Sequence, residues 1–442
     1  MKNIQNQFNI YKSKYVFFLV ATIPLFLIFS RFVSDLFVVI LSLFFIVFFS
    51  QFKKDFNLFF RKDVLLFLIF FIYLLINVIF SHDPSTSFQR GSFYFRFFIF
   101  SIFLSIYFIN IDQKLLDNFF KIILLIVLLQ SIYNITEFLH IQLEQNNIFF
   151  SIGNFKFEYR VKGFFTDVRS GSYLSKFSVI SIFWLYSKYN STWKVYLINL
   201  ILFLGLLVTG ERSSILFLFL CLFFCLIFIS NYRKFIFKNL IILFVLSVSI
   251  LFSFPHYKAR MIDSTLYVVG LPNLITEKNK LEAYHIAGGT ALKEIDNFLD
   301  SHHGAHFLTA VEIWKDYKVF GSGIKTFRIL SSEKKYSNIK SSNKHLRSST
   351  HPHNYYLEIL SELGLVGLFI FFLFILNFIL KILIIKKSKD NFFYVPAFIC
   401  LVILWPVKTT GSFFNNWESV MFWTIYGISV GLIYRNLKTI DS

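Results

Sequence analysis

The chain has 442 residues, 56% hydrophobic and 21% aromatic, with only 7 Pro and 17 Gly and a formal net charge of +19. Apolar blocks spread from end to end exclude a soluble globular or disordered chain and indicate a polytopic membrane protein. The positive charge does not call for a nucleic-acid partner, because most of it is explained by membrane topology, set out below.

In chain order, apolar runs occupy residues 15 to 30, 34 to 50, 64 to 80, 93 to 110, 120 to 139, 171 to 187, 195 to 209, 214 to 230, 237 to 254, 357 to 380, 391 to 407 and 417 to 434. Runs of about 17 to 22 residues can cross a hydrocarbon core of ~30 Å as helices, which satisfy their own backbone polar groups there. The expected fold is all-α: a polytopic transmembrane helical bundle of about 12 spans, interrupted by one long polar loop that contains short helices. Three parts follow: 1–254 with helices one to nine, a loop at 255–356, and 357–442 with helices ten to twelve. The first run follows Lys12 and Lys14 as a signal peptide would, but no small-residue cleavage site follows it, so it is expected to stay in the mature protein.

Loops on the side of both termini hold 20 of the 44 cations, including Lys53, Lys54, Lys188, Arg233, Lys234, Lys386 and Lys387. The short loops of the other face hold only Arg31, Arg90, Arg212 and Lys408. The positive-inside bias therefore predicts cytoplasmic termini and an external loop. Cys221, Cys225 and Cys400 fall inside apolar runs, so no disulfide framework is expected and the thiols read as packing residues.

Arginine is distributed differently from lysine. The terminal side carries 17 Lys to 3 Arg, whereas the other 24 cations include Arg31, Arg90, Arg96, Arg160, Arg169, Arg212, Arg260, Arg328 and Arg347. A guanidinium fork binds phosphate bidentately and keeps its charge in a partly dry site, so the outer face reads as built to hold phosphate. Arg90 and Arg96 flank the start of the fourth run, and Arg212 sits in the tight turn Thr209-Gly-Glu-Arg-Ser-Ser214, where Glu211 is placed to orient it. Boundary cations also snorkel to lipid headgroups, which is the plain alternative for each.

All ten histidines fall on the predicted outer side: His82, His140, and eight in the loop, at 256, 285, 302, 303, 306, 345, 351 and 353. His302 and His306 are four apart, a spacing that could offer zinc two imidazoles from a helix, but no Cys or acidic third ligand stands nearby. The stretch therefore reads as flexible, acidic-poor loop, and no metal ligand is assigned. Phe307, Val311, Trp314 and Tyr317 predict an amphipathic helix lying on the bundle, and residues 331 to 350 read as a mobile, solvated Ser- and Lys-rich segment. His351 and His353 precede Asn354, a good helix N-cap, which places His353 at the mouth of the tenth span as a candidate general base. Glu358 and Glu362 follow on one face at the membrane surface, and Gly364 and Gly367 are expected to let helices pack closely.

The segment His353-Asn-Tyr-Tyr-Leu-Glu-Ile-Leu-Ser-Glu-Leu-Gly-Leu-Val-Gly367 resembles the signature of the O-antigen ligase and O-antigen polymerase family of bacterial membrane glycosyltransferases. Trp314-Lys-Asp-Tyr-Lys-Val-Phe-Gly-Ser-Gly-Ile-Lys-Thr-Phe327, Arg160-Val-Lys-Gly-Phe-Phe165 and Gly210-Glu-Arg-Ser-Ser214 are similar to further motifs, so the resemblance covers most of residues 60 to 435. It implies a glycosyltransferase-C-like scaffold in the bacterial inner membrane. There a glycan passes from undecaprenyl diphosphate to a hydroxyl of lipid A core, or of a growing glycan, on the periplasmic face, with inversion and without metal, nucleotide or other cofactor.

Residue by residue, the resemblance makes Arg212 the diphosphate-binding arginine, His353 the histidine that deprotonates the acceptor, and Arg160 a second basic position. The expected substrate-binding set adds Arg90, Arg96, Arg169, His351, Asn354, Tyr356 and Glu358. Family members often carry an arginine in the loop helix shortly before the tryptophan; here that stretch offers His306, and Lys315, Arg260 and Arg328 are the possible substitutes. Ligase is the preferred reading, with polymerase the alternative and protein O-glycosylation a third outcome. A transporter is disfavoured because the mid-span regions are almost uniformly Phe, Leu and Ile and no internal repeat is evident.

Overall fold

The computed structural model describes residues 9–145, 160–276, 279–280, 283–284, 295, 297–384, 391–409 and 411–440. His285 and the cations Lys2, Lys386, Lys387 and Lys389 lie outside the described residues. Among the described residues the chain is helical without strands. The main helices are α1 (Lys14–Phe29), α2 (Arg31–Val47), α3 (Arg61–Ile79), α4 (Phe95–Asn110), α5 (Gln113–Gln145), α6 (Ser170–Tyr189), α7 (Trp193–Leu207), α8 (Arg212–Phe228), α9 (Arg233–Ser253), α10 (His302–Asp316), α11 (Tyr355–Ile384), α12 (Val395–Ile403) and α13 (Asn416–Ile440).

Each of the twelve apolar runs falls on one of these helices, with α10 standing apart in the polar loop. Five are long and apolar enough to cross a membrane: α3, α4 with its preceding turn, α5, α9 and α11. A sixth arises if α2 and the following helix, bent by 82°, count as one span. α1, α7, α8 and α12 are apolar but shorter. α6 and α13 are less apolar for a physical reason: most of their surface is covered by other helices, so they need not present hydrocarbon to lipid. The outer rim is the reverse, with Leu43, Leu68, Leu129, Phe244 and Phe372 exposed, as a lipid-facing surface requires.

The most extensive helix packing joins α4 to α13. Gly427 and Gly431, four apart on α13, set the approach: a Cβ at these positions would lie 2.7 Å from Leu104 Cβ and 2.6 Å from Phe108 Cβ. Small residues at i and i+4 are what lets two membrane helices bring their backbones together. The three cysteines are buried and free, as expected.

α11 departs from the continuous span expected at 357 to 380. Gly364 interrupts it at φ 67°, ψ −167°. The loop segment 318–323 inserts at the break: Leu365 N–H donates to Lys318 O (3.0 Å), Gly323 N–H to Glu362 O (2.8 Å), and Ser322 N–H to Ser361 O (3.0 Å). Asn77 of α3 completes the joint by donating to Phe320 O (2.6 Å). A helix can break at membrane depth only where other protein groups satisfy the freed backbone, and this loop supplies them. Gly364 is therefore a backbone break, which no Cβ could enter because Val319 O would lie 2.3 Å away.

Candidate active site at the loop helix

The polar loop runs from the end of α9 to the start of α11, and α10 packs directly on α11. Ser301 caps α10, its hydroxyl accepting from Gly304 N–H at 3.1 Å. The stretch read as flexible loop is thus an ordered helix end. Its buried stripe is Ala305, His306, Thr309, Ala310 and Ile313. The expected stripe of Phe307, Val311, Trp314 and Tyr317 is only half-buried. The helix turns its small and polar residues inward because the partner, α11, lies close. Residues 331–350 are solvated in part, with Lys334, Lys335, Lys340 and Lys344 exposed, but they are also tied down: Ser342 and Asn343 hold Asp300, with Asn343 Nδ2 donating to Asp300 O at 2.7 Å, and Ser349 N–H donates to Ser331 Oγ at 3.2 Å.

Packing α10 on α11 brings its first turn against the chain just before α11. The His353 ring lies 5.3 Å from His306 and 5.2 Å from His303 between centroids, and His351 lies 4.1 Å from it. His353 adopts φ +59°, a left-handed conformation that aims its side chain back under α10. Ser349 Oγ is 3.4 Å from His353 Nε2. Burial lowers the His353 pKa to about 3, with the neighbouring histidines adding repulsion. Burial likewise lowers His351 to about 3 and His302 to about 4, and pushes His303 and His306 down. All five imidazoles are therefore neutral at neutral pH, the state in which a ring nitrogen can accept a proton.

The second component gathers at the turn before α8. Arg212 Nη1 donates to Ser264 Oγ at 3.0 Å and to Thr265 Oγ1 at 2.9 Å, so the loop beyond α9 holds the guanidinium. Glu211 does not orient it: its carboxylate accepts from Gly171 N–H (2.8 Å), Ser172 N–H (3.1 Å) and the Ser214 hydroxyl (3.0 Å), clamping α6 to α8. Buried Arg260 donates from Nε to Gly210 O at 2.9 Å. Its pKa is lowered to about 9, first by burial and then by the charges of Arg160 and Arg212. The charge of exposed Arg160 is felt by Glu211, Arg212, Arg260 and His302, so three guanidiniums from separate segments act on one another near the start of α8. Like charges held together this way favour an anion bridging them.

A cavity of 580 Å³ joins the two components. Arg212, Lys176, Thr265, His303, Asn354 and Lys408 supply polar lining, while Leu216, Phe217 and Leu220 of α8 with Val402, Ile403 and Val407 supply an apolar flank.

Residues 197–372 match the family model described as O-antigen ligase. This segment is of the O-antigen ligase family. It contains Arg212, Arg260, the α10 histidines and His353. No curated protein matches the chain. The O-antigen ligase family supports a ligase-like glycosyltransferase that works in a membrane on a lipid-linked glycan and a glycan acceptor.

Of the residues expected to serve such an O-antigen ligase site, the structure brings together Arg212, Arg160, His351, His353 and Asn354. Asn354 caps α11 as expected, accepting from Tyr356 N–H (3.0 Å) and Leu357 N–H (3.2 Å). Glu358 is elsewhere: fully buried, it pairs with Lys325 Nζ (3.1 Å) and accepts from Phe413 N–H (2.7 Å). Glu362 is equally buried and accepts from Lys325 N–H at 2.8 Å. Tyr356 turns away, its hydroxyl donating to Leu404 O at 2.6 Å, and it is Tyr355 that lines the cavity.

Arg96 pairs with Asp35 at 3.0 Å, and with Arg90 it borders a separate cavity. Arg169 lies 3.6 Å from Asp167 and stacks on Trp417 at 5.2 Å, bordering another small cavity. Of the proposed substitutes for the family's loop arginine, Arg260 alone joins the Arg212 cluster. Lys315 pairs with Glu312 at 2.7 Å, and Arg328 borders a cavity with Arg31 and Arg90.

Lys176 and Lys408 were missed. Lys176 is a buried amine in α6 that donates to Ser172 O at 2.6 Å, and Lys408 Nζ stands 3.2 Å over the Tyr355 ring. A lone lysine inside the run 171 to 187 was the available signal, since an ionisable group in a span marks function more often than packing.

Proposed function

We propose that the protein transfers a glycan from undecaprenyl diphosphate to an acceptor hydroxyl on lipid A core, at the periplasmic face of the inner membrane, with both termini cytoplasmic and about 12 helices crossing. The observation that carries this reading is one cavity with an apolar flank that is lined by Arg212 on one side and His303 on the other, with Arg260 and Arg160 behind the first and His353 against the second. In the proposed reaction the acceptor oxygen attacks the anomeric carbon as its proton moves to His353. The bond from that carbon to the phosphate oxygen breaks, and undecaprenyl diphosphate leaves as an anion facing Arg212, with Arg160 and Arg260 behind it. Attack from the side opposite the leaving group inverts the anomeric centre.

Donors aimed at the developing phosphate charge supply the larger share of such catalysis, and a positioned base typically adds ~10²- to 10⁴-fold. The apolar flank of α8 and residues 402–407 fits the polyprenyl chain. The family description favours ligase over polymerase. Lipopolysaccharide from a deletion strain tests the choice: complete loss of the glycan ladder, with glycan left on its carrier, is expected. A single-unit band would replace ligase with polymerase, and donor trapped on the inner leaflet would replace both with transport.

A further inference from the structure

The α10 histidines exceed what a single general base requires. One ring nitrogen from each of His303, His306 and His353 falls within 4.8 Å of the other two. His306 Nε2 lies 3.0 Å from Leu346 O. A carbonyl can only accept, so Nε2 carries the hydrogen and Nδ1 presents its lone pair. Among the described residues, the buried Nδ1 atoms of both His303 and His306 have no hydrogen-bond partner. Buried polar atoms of this kind are normally satisfied, and a histidine whose other nitrogen donates to a carbonyl is the usual arrangement of a metal ligand.

We propose that His303, His306 and His353 bind a zinc ion through one imidazole nitrogen each, leaving a fourth coordination position open toward the cavity. His303 and His306 come from successive turns of α10, and His353 comes from across the α10–α11 contact, so the ion would staple the loop helix to the mouth of α11. Tetrahedral Zn–N bonds of ~2.0–2.1 Å need nitrogens roughly 3.3 Å apart, so the three rings must close by up to about 1.5 Å, within reach of side-chain rotation. Three imidazoles without a carboxylate select zinc or a similar transition metal over magnesium or calcium. The nearby positive charge of Arg212 opposes the ion and makes the site one that fills only where zinc is plentiful.

The consequence for activity rests on the reading of His353 as the base. Zinc occupies the lone pair that would take the acceptor proton, so the bound metal switches transfer off. The site is a metal-sensing brake, and the reaction itself needs no metal.

The test uses the full-length protein in detergent after chelator treatment. Cobalt(II) titration of the wild type is expected to give the intense visible spectrum of a tetrahedral site at one ion per chain, displaced by zinc. X-ray absorption of the zinc-loaded wild type is expected to show an imidazole-rich first shell. His306→Ala and the shape-keeping His303→Gln should each weaken binding about 100-fold or more, since loss of even an outer-sphere partner costs 10–100-fold. His302→Ala should keep the cobalt spectrum. An octahedral cobalt spectrum, an oxygen-dominated shell, or unchanged affinity in both variants would overturn the site. Zinc should inhibit the wild type reversibly, and His303→Gln far less; equal inhibition of the two overturns the brake. Transfer that survives in His353→Ala, with cobalt binding in the wild type intact, sinks the base assignment and leaves the metal site standing.

Discussion

At the scale of single residues, the proposed transfer turns on one cation and one base. Arg212 is held by two hydroxyls that leave the rest of its fork free to meet a phosphate. Arg212→Ala should therefore lower transfer about 10²- to 10³-fold at equal protein level, the usual cost of removing one donor aimed at developing charge. Wild-type rates in that variant would remove Arg212 from the site.

His353 has its pKa lowered to about 3 by burial, so it stays an acceptor throughout the mildly acidic range. In the free enzyme kcat/KM should not fall as pH drops through ~6.5, the value of an unperturbed histidine. A titration there would mean an exposed base. Stability should respond with the opposite emphasis. Below ~6.5 the unfolded chain binds protons that folded His302, His351 and His353 refuse, so stability present above that pH is lost progressively toward the folded values near 3 to 4. Thermal unfolding at pH 7.5 and pH 5 measures this, with the lower Tm expected at pH 5.

Residue type, turn context and motif singled out Arg212 and His353 in the sequence, and the fold places both beside His303, the first by its charge and the second by ring contact. The places of Glu358 and Tyr356 were not legible there. Adjacent positions on a helix point in different directions, and which one meets the cavity is decided by the helices packed around it.

At the scale of elements, the junction of α11 with the loop positions the site. Lys325, itself at φ +64°, inserts its amine between Glu358 and Ser412, at 3.1 and 2.5 Å. Glu358→Ala leaves that ammonium buried without its carboxylate, a loss of about 3–5 kcal/mol. The variant should unfold at lower temperature and insert poorly, with transfer lost in proportion to folded protein. A fully stable Glu358→Ala protein with a raised KM would instead make Glu358 a substrate contact. The break at Gly364 was hidden from sequence reading because an uninterrupted apolar run reads as one helix. Only the inserted 318–323 segment, more than forty residues away in sequence from Gly364, makes the break affordable. The helix at 302–316 was legible from Phe307 onward but not in its first turn, which read as loop, nor in its facing, since its inward residues are small and polar rather than apolar.

At the scale of the molecule, the apolar runs foretold the helices, and the loop foretold the one region rich in histidine. What composition could not foretell is that α6 and α13 sit inside the bundle, where burial by protein replaces lipid and lysine is tolerated. The arginine turn and the loop helix meet only because α8, α10 and the start of α11 converge on the same cavity. Purified protein supplied with undecaprenyl-diphosphate-linked glycan and lipid A core measures the central claim directly. The account predicts that the wild type joins glycan to core without added metal or nucleotide, and that His353→Ala, folded and membrane-inserted, does not. Undiminished transfer by His353→Ala, or none by the wild type with both substrates present, would contradict it.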